Sequence, residues 1–189
     1  MGNDKNRVCP VELAGSLDNR IRRWVQDPEK ILAPFVGEGM TVLDVGCGPG
    51  FFSVELAKMV GEKGKVLAVD MQEGMLQKLA GKIRGTELEE RIKMVKCGED
   101  SINVSEKIDF GLAFYMVHEV PDKERFFREL KSILSEQGRI LLVEPKLFHV
   151  SRREFEATTG VAENAGFVIV QGPRLFLSHS AVLKNGPRG

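Results

Sequence analysis

The sequence has no excess charge of one sign, no closely spaced cysteines and no apolar run long enough to cross a bilayer, and each absence removes a class of function. Lys and Arg (27) balance Asp and Glu (27). No global field therefore draws in a polyanion, which argues against a dedicated nucleic-acid binder. Cys9, Cys47 and Cys97 stand 38 and 50 positions apart, spacings that match neither zinc nor redox pairs, so reduced thiols and no bound metal are expected. The longest apolar stretch, Phe110 to Val117, falls far short of the ~20 residues of a membrane span. Met1 to Arg7 holds no apolar signal core, and Asn6 stands where a myristoylation signal wants Ser or Thr. A cytoplasmic protein with no membrane partner is the expectation.

What is present suits one folded domain. The chain has 189 residues, 42% hydrophobic and 29% charged, enough to bury a genuine core. Short apolar runs alternate with helical patterns. Thr41–Val45, Lys65–Asp70, Ile92–Lys96, Ile108–Val117 and Arg139–Val143 read as strands. Several are continuously apolar, as strands covered on both faces are. Between them, Phe51–Val60, Glu73–Arg84 and Asp122–Leu134 have helical spacing. In the last, Phe126, Phe127, Leu130, Ile133 and Leu134 make one stripe, Asp122 is placed as its cap, and Gly138 lies past its end. This alternation predicts right-handed crossovers and a mostly parallel α/β sheet. Ahead of the first strand, Leu17, Ile21, Trp24, Ile31, Leu32 and Phe35 suggest two short helices broken at Asp27-Pro28. Residues 1–36 are expected to form a helical lid and 37–189 the core of a single domain. At the far end, Phe167–Val170 and Leu175–Leu177 flank the turn-rich Gln171–Arg174, which predicts a terminal antiparallel hairpin.

The informative stretch is Asp44-Val45-Gly46-Cys47-Gly48-Pro49-Gly50-Phe51. A buried strand ends in glycines and runs into a helix. Glycine removes the β-carbon, so a ligand can lie against backbone, and a helix N-terminus offers N–H groups to it. Asp70 closes the second strand 24 residues after Gly46, where a carboxylate can accept from both hydroxyls of a ribose. It could equally cap the following helix. The dinucleotide pattern needs a third glycine where Phe51 stands, and Gly64-Lys65 is followed by Val66 rather than Ser or Thr. Asp44 repels a pyrophosphate but suits a ligand carrying an ammonium group.

Asp44 to Gly50 resembles motif I of the class I S-adenosylmethionine-dependent methyltransferases, and the resemblance runs from about Asp27 to Leu183. The branch it most resembles is the small-molecule one that includes ubiquinone/menaquinone-biosynthesis and arsenite methyltransferases. The resemblance implies a Rossmann-like seven-stranded sheet of order 3-2-1-4-5-7-6 with strand 7 antiparallel, and S-adenosylmethionine as cofactor. It also implies that Gly46, Gly48 and Gly50, with Cys47 between them, lie under the methionine and ribose moieties, with Asp44 near the amino group. By the same resemblance Asp70 holds the ribose and Met71 packs on adenine. At the end of the third strand the sequence departs from the family: Cys97 takes the usual Asp position, leaving Gly98 to supply backbone and Glu99 a substitute carboxylate. Glu99 and Asp100 also fit a solvated loop, and Cys47 a space-filler. Phe114 and Tyr115 match the segment whose backbone approaches the methionine end.

On the acceptor side, His118 beside Glu119 follows the fourth strand at the sheet's carboxyl edge. It suits either a general base or a polar lining residue. Glu144-Pro145-Lys146 is expected at the rim of the same opening, and Tyr115 in its wall. No Asn/Asp-Pro-Pro-Tyr and no Pro-Cys pair occurs, which disfavours adenine or glutamine nitrogen and cytosine C5 as targets. Three scattered thiols match arsenite chemistry thinly. Between strand five, ending near Glu144, and the next helix, near Arg153, there is little room for an added substrate domain, which implies an open pocket or one completed by a second subunit in a homodimer. The leading expectation is methyl transfer to a small-molecule acceptor. The alternatives are a non-catalytic S-adenosylmethionine-binding regulatory or assembly protein and an NAD-dependent oxidoreductase.

Overall fold

A computed structural model describes residues 26–146 and 150–186. Cys9, Trp24, most of the expected first helix and His149 lie outside the described residues. The elements in chain order are α1 (Pro28–Leu32), β1 (Thr41–Val45), α2 (Ser53–Val60), β2 (Lys65–Asp70), α3 (Glu73–Ile83), β3 (Ile92–Lys96) and β4 (Ile108–Phe114). A short 3-10 turn (Val117–Glu119) leads to α4 (Lys123–Ile133), β5 (Leu134–Pro145), α5 (Arg152–Asn164), β6 (Phe167–Gln171) and β7 (Ser178–Asn185).

The seven strands form one sheet of order β3-β2-β1-β4-β5-β7-β6. β1 to β5 run parallel, and β7 lies antiparallel between β5 and β6. Side chains alternate across the faces, so a continuously apolar run supplies two cores at once. Val42, Val66 and Phe110 pack with α1, α2 and α3 on one face, while Leu43, Leu67 and Ile140 pack with α4 and α5 on the other. The α4 stripe buries Phe126, Phe127, Leu130 and Ile133, each such side chain contributing about 1.5–3 kcal/mol on leaving water. Asp122 caps α4 by accepting from Arg125 N at 2.9 Å, and Ser151 with Glu154 forms a capping box on α5.

Three boundaries differ from the sequence expectation. α1 is seated in the core, with Leu32 fully buried and Ile31 nearly so, so residues 28–32 serve as foundation beneath α2. β5 begins directly at Leu134, and the pairing with β4 jumps from Ile108↔Leu134 to Phe110↔Arg139. Residues 135–138 therefore form a bulge inside the strand, not a loop before it. The last strand is Ser178–Asn185, not Leu175–Leu177. Phe176 and Leu177 stay exposed in the connection, because β7 must bond to a neighbour on each side. Backbone pairing of Val182 with Leu141 and Leu183 with Ile169 decides its position over apolar content.

Candidate active site at the carboxyl edge of the sheet

β1, β2, β3 and β4 all end at one edge, and there the chain encloses a cavity of about 550 Å³. Its location follows from topology: β2 lies on one side of β1 and β4 on the other, so the connections leave in opposite directions and open a crevice. Asp44, Gly46, Cys47, Gly48, Asp70, Met71, Gly98, Glu99, Phe114 and Tyr115 all line it.

The loop after β1 makes its wall from main chain. Gly46 N and Cys47 N both donate to Val69 O, at 2.8 and 3.0 Å. Gly48 has φ +53 with open space where a Cβ would stand, so bare backbone faces the cavity. Its N–H donates to Asp70 Oδ2 at 2.9 Å, and Gln72 N donates to Oδ1 at 2.8 Å. Asp70 thus shapes the glycine loop as well as ending β2. Burial pushes its carboxyl above the usual range, against the pull of these backbone donors. Asp44 is buried and accepts from Ser53 Oγ at 2.6 Å, which fixes the carboxylate at the entry to α2. Burial also pushes the Cys47 thiol up, as it does Cys97, which reaches about 11. Both are protonated at neutral pH.

Two of the sequence-derived residues stand outside the lining. Gly50 has φ +85, and a Cβ on it would overlap the buried Leu79 of α3; the third glycine lets loop and helix pack. His118 turns toward β5. Its backbone N donates to Glu144 Oε1 at 3.1 Å, and its Nδ1 lies 2.5 Å from Glu144 Oε2. Nε2 is 3.9 Å from Glu119 Oε1. The Glu144 hydrogen bond holds the imidazolium form above its ordinary pKa. Glu144 is itself buried at this contact. The expected rim residue is instead the anchor of the turn after β4.

Other wall residues carry no motif. Met75 comes from the first turn of α3, and Arg125, Phe126 and Glu129 come from the first two turns of α4. Glu129 Oε2 accepts from Ile102 N at 2.8 Å, closing the wall beside β3. The signal that finds them is position: the N-terminal turn of a crossover helix abuts the carboxyl edge of a parallel sheet. Gln26 and Met116 also line the cavity.

A family model described as a methyltransferase domain matches residues 37–169. The chain belongs to this methyltransferase-domain family. A solved S-adenosylmethionine-dependent methyltransferase from Aquifex aeolicus is 30% identical, superposes with a TM-score of 0.78, and is matched over 93% of this chain and 100% of its own. A structure described as a putative S-adenosyl-L-methionine-dependent methyltransferase from Methanococcus maripaludis shares the fold (TM-score 0.77, 20% identity), with 100% of this chain and 98% of that one covered. The ubiquinone/menaquinone biosynthesis C-methyltransferase UbiE of Klebsiella pneumoniae is 29% identical over 115 residues, 58% of this chain and 44% of that protein. The chain thus spans under half the length of the curated relatives it matches.

S-adenosylmethionine is the cofactor that family and fold imply, and the residues present fit it. Gly48 leaves bare main chain where a nucleoside can lie. Asp44, Asp70 and Glu99 line the same cavity, and carboxylates there are acceptors suited to hydroxyls and an ammonium, favourable to a sulfonium and hostile to a pyrophosphate. No helix among the described residues is long and apolar enough to cross a membrane.

Proposed function

We propose that this methyltransferase-family chain transfers a methyl group from S-adenosylmethionine to a small-molecule acceptor at the cavity edge of β4. The observation that carries the reading is the Asp70 carboxylate, buried at the end of β2 and bonded to Gly48 N. It is placed to accept from ribose hydroxyls beside bare backbone. In this reading Asp44 faces the ammonium group, and Gly46, Cys47 and Gly48 form the floor. Met71 and Met75 pack the adenine, with Gly98 and Glu99 at its edge. Phe114 and Tyr115 stand at the methionine end.

When bound, the sulfonium supplies an electrophilic methyl group. The protein's part is alignment of an incoming nucleophile, which supplies up to about 7–11 kcal/mol in well-oriented reactions, and exclusion of water by Phe52, Phe114 and Met116. His118 serves as the anchor of the 3-10 turn on Glu144, which sets Glu119 in the cavity wall. Residues 1–189 form one domain in this reading, with α1 part of its core and Gln26, just ahead of α1, on the cavity wall. The bacterial relatives named as acting in quinone biosynthesis support a small-molecule acceptor.

Calorimetric titration with S-adenosylmethionine, S-adenosylhomocysteine and NAD tests the cofactor. Binding of the first two supports the reading, and binding of NAD alone overturns it. Incubation of a metabolite extract with methyl-labelled cofactor then separates transfer from binding without transfer.

A further inference from the structure

Tyr115 is the first residue past β4 and has a left-handed backbone, φ +60, which a bulky side chain adopts only when its surroundings hold it there. Its N–H continues the ladder to Val143 O at 2.8 Å, so the strain sits at a paired position, not in a free loop. Its hydroxyl shows what the unusual turn achieves. Gln26 Nε2 donates to Tyr115 Oη at 2.8 Å, Tyr115 Oη and Ser178 Oγ are 2.5 Å apart, and Ser178 Oγ donates to Phe176 O at 3.0 Å. An amide nitrogen only donates and a carbonyl only accepts, so the two ends set the direction of the whole chain: Gln26 to Tyr115 to Ser178 to Phe176. Each hydroxyl receives one hydrogen bond and gives one. The links span 89 and 63 positions of sequence, which makes them tertiary stitches, not local turns. Ser178 is buried, whereas Gln26 and Tyr115 both line the cavity.

We propose that Tyr115 is a positioning residue that closes one side of the cavity. Its hydroxyl is the middle link tying the segment that enters α1 to the start of β7, and it keeps Gln26 on the cavity wall. The inference rests on the reading of this cavity as the cofactor site. Its consequence is kinetic: the tether slows escape of the bound nucleoside without contributing a direct contact through the hydroxyl.

The test removes the hydroxyls one at a time with Tyr115→Phe and Ser178→Ala, then together. Backbone hydrogen exchange over residues 26–33, where Ile31 N bonds to Asp27 O, reports on the tethered segment. S-adenosylhomocysteine is the ligand, and release of the labelled compound is followed after dilution. Each single variant should exchange faster in this stretch and release the ligand about two- to tenfold faster, the effect of the one neutral hydrogen bond, Tyr115 to Ser178, that both variants lose. The double variant should match the singles, because both break the same chain. Parental exchange and release in both single variants would overturn the proposal, as would a double variant showing the product of the two separate effects. If the parent fails to bind S-adenosylhomocysteine, the cofactor-site reading falls, and ligand-free exchange still decides the tether.

Discussion

The loop after β1 and the turn after β4 border the same cavity, and both use left-handed backbone, yet they are built from opposite materials. In the first, Gly46, Gly48 and Gly50 adopt positive φ with no β-carbon to strain, and main-chain bonds to Val69 and Asp70 hold the shape. In the second, Tyr115 bears the same kind of conformation with a full side chain, at a cost of about 1–2 kcal/mol. Hydrogen bonds to Gln26 and Ser178 keep it there, and the Glu144 to His118 pair pins the turn behind it. A nucleoside needs a bare surface to lie on. The second wall is built from side chains, which in the proposed reading can be shaped to a particular acceptor.

Substitutions on each wall put this contrast to the test. The largest effect is expected for Gly50→Ala, which adds both backbone strain and a clash with buried Leu79. It should lower unfolding free energy by about 2–4 kcal/mol in denaturant titrations. Asp70→Ala follows. Calorimetry should show S-adenosylmethionine binding weakened by about 1.5–3 kcal/mol, with the glycine loop also losing the bond that shapes it. Since burial raises the Asp70 carboxyl pKa in the folded state, the folded protein holds that proton at higher pH than the unfolded chain does. Its contribution to stability therefore declines as pH rises through the carboxylate range, and Asp70→Asn should flatten that decline.

Glu144→Gln tests the other wall at a smaller scale, about 1 kcal/mol, because the amide keeps one acceptor oxygen. The His118 pKa is raised above 6.5 by Glu144. The parent's stabilisation from this pair is thus complete below pH 6.5 and lost as pH rises through the folded-state value. NMR titration of the His118 ring should show its pKa falling in the variant, with the pH dependence of melting reduced in step. The smallest effect belongs to Phe176→Ser. This side chain is 65% exposed in the connection between β6 and β7, so melting should shift by no more than about 0.5 kcal/mol equivalent.

The contrast between the two walls also explains what could be read in advance. Glycine spacing, Asp44 and Asp70 are local signals, because a strand that ends against a nucleoside must place bare backbone at fixed offsets. They anticipated most of the cavity floor. Gly50 belongs to the same motif but answers to Leu79, a partner on another helix. His118 was legible as a polar residue at the sheet edge, but the direction of its ring was not, because that depends on Glu144 from β5, 26 positions away. β1, β2, β4 and the second half of β5 announced themselves by apolar runs buried on two faces, whereas edge strand β3 showed only a short mixed run with Ile92 buried. β7 did not, since a strand inserted between two others is defined by its bonding partners more than by its side chains.

Local sequence dictated the alternating α/β architecture and the acid-flanked glycine loop, because each depends on residues close together along the chain. Tertiary structure alone decided which way His118 turns, that α1 belongs to the core, and that Gln26, Tyr115 and Ser178 meet. Those arrangements join segments dozens of residues apart. Their energies come from burial and from hydrogen bonds that exist only once the sheet has brought the segments together.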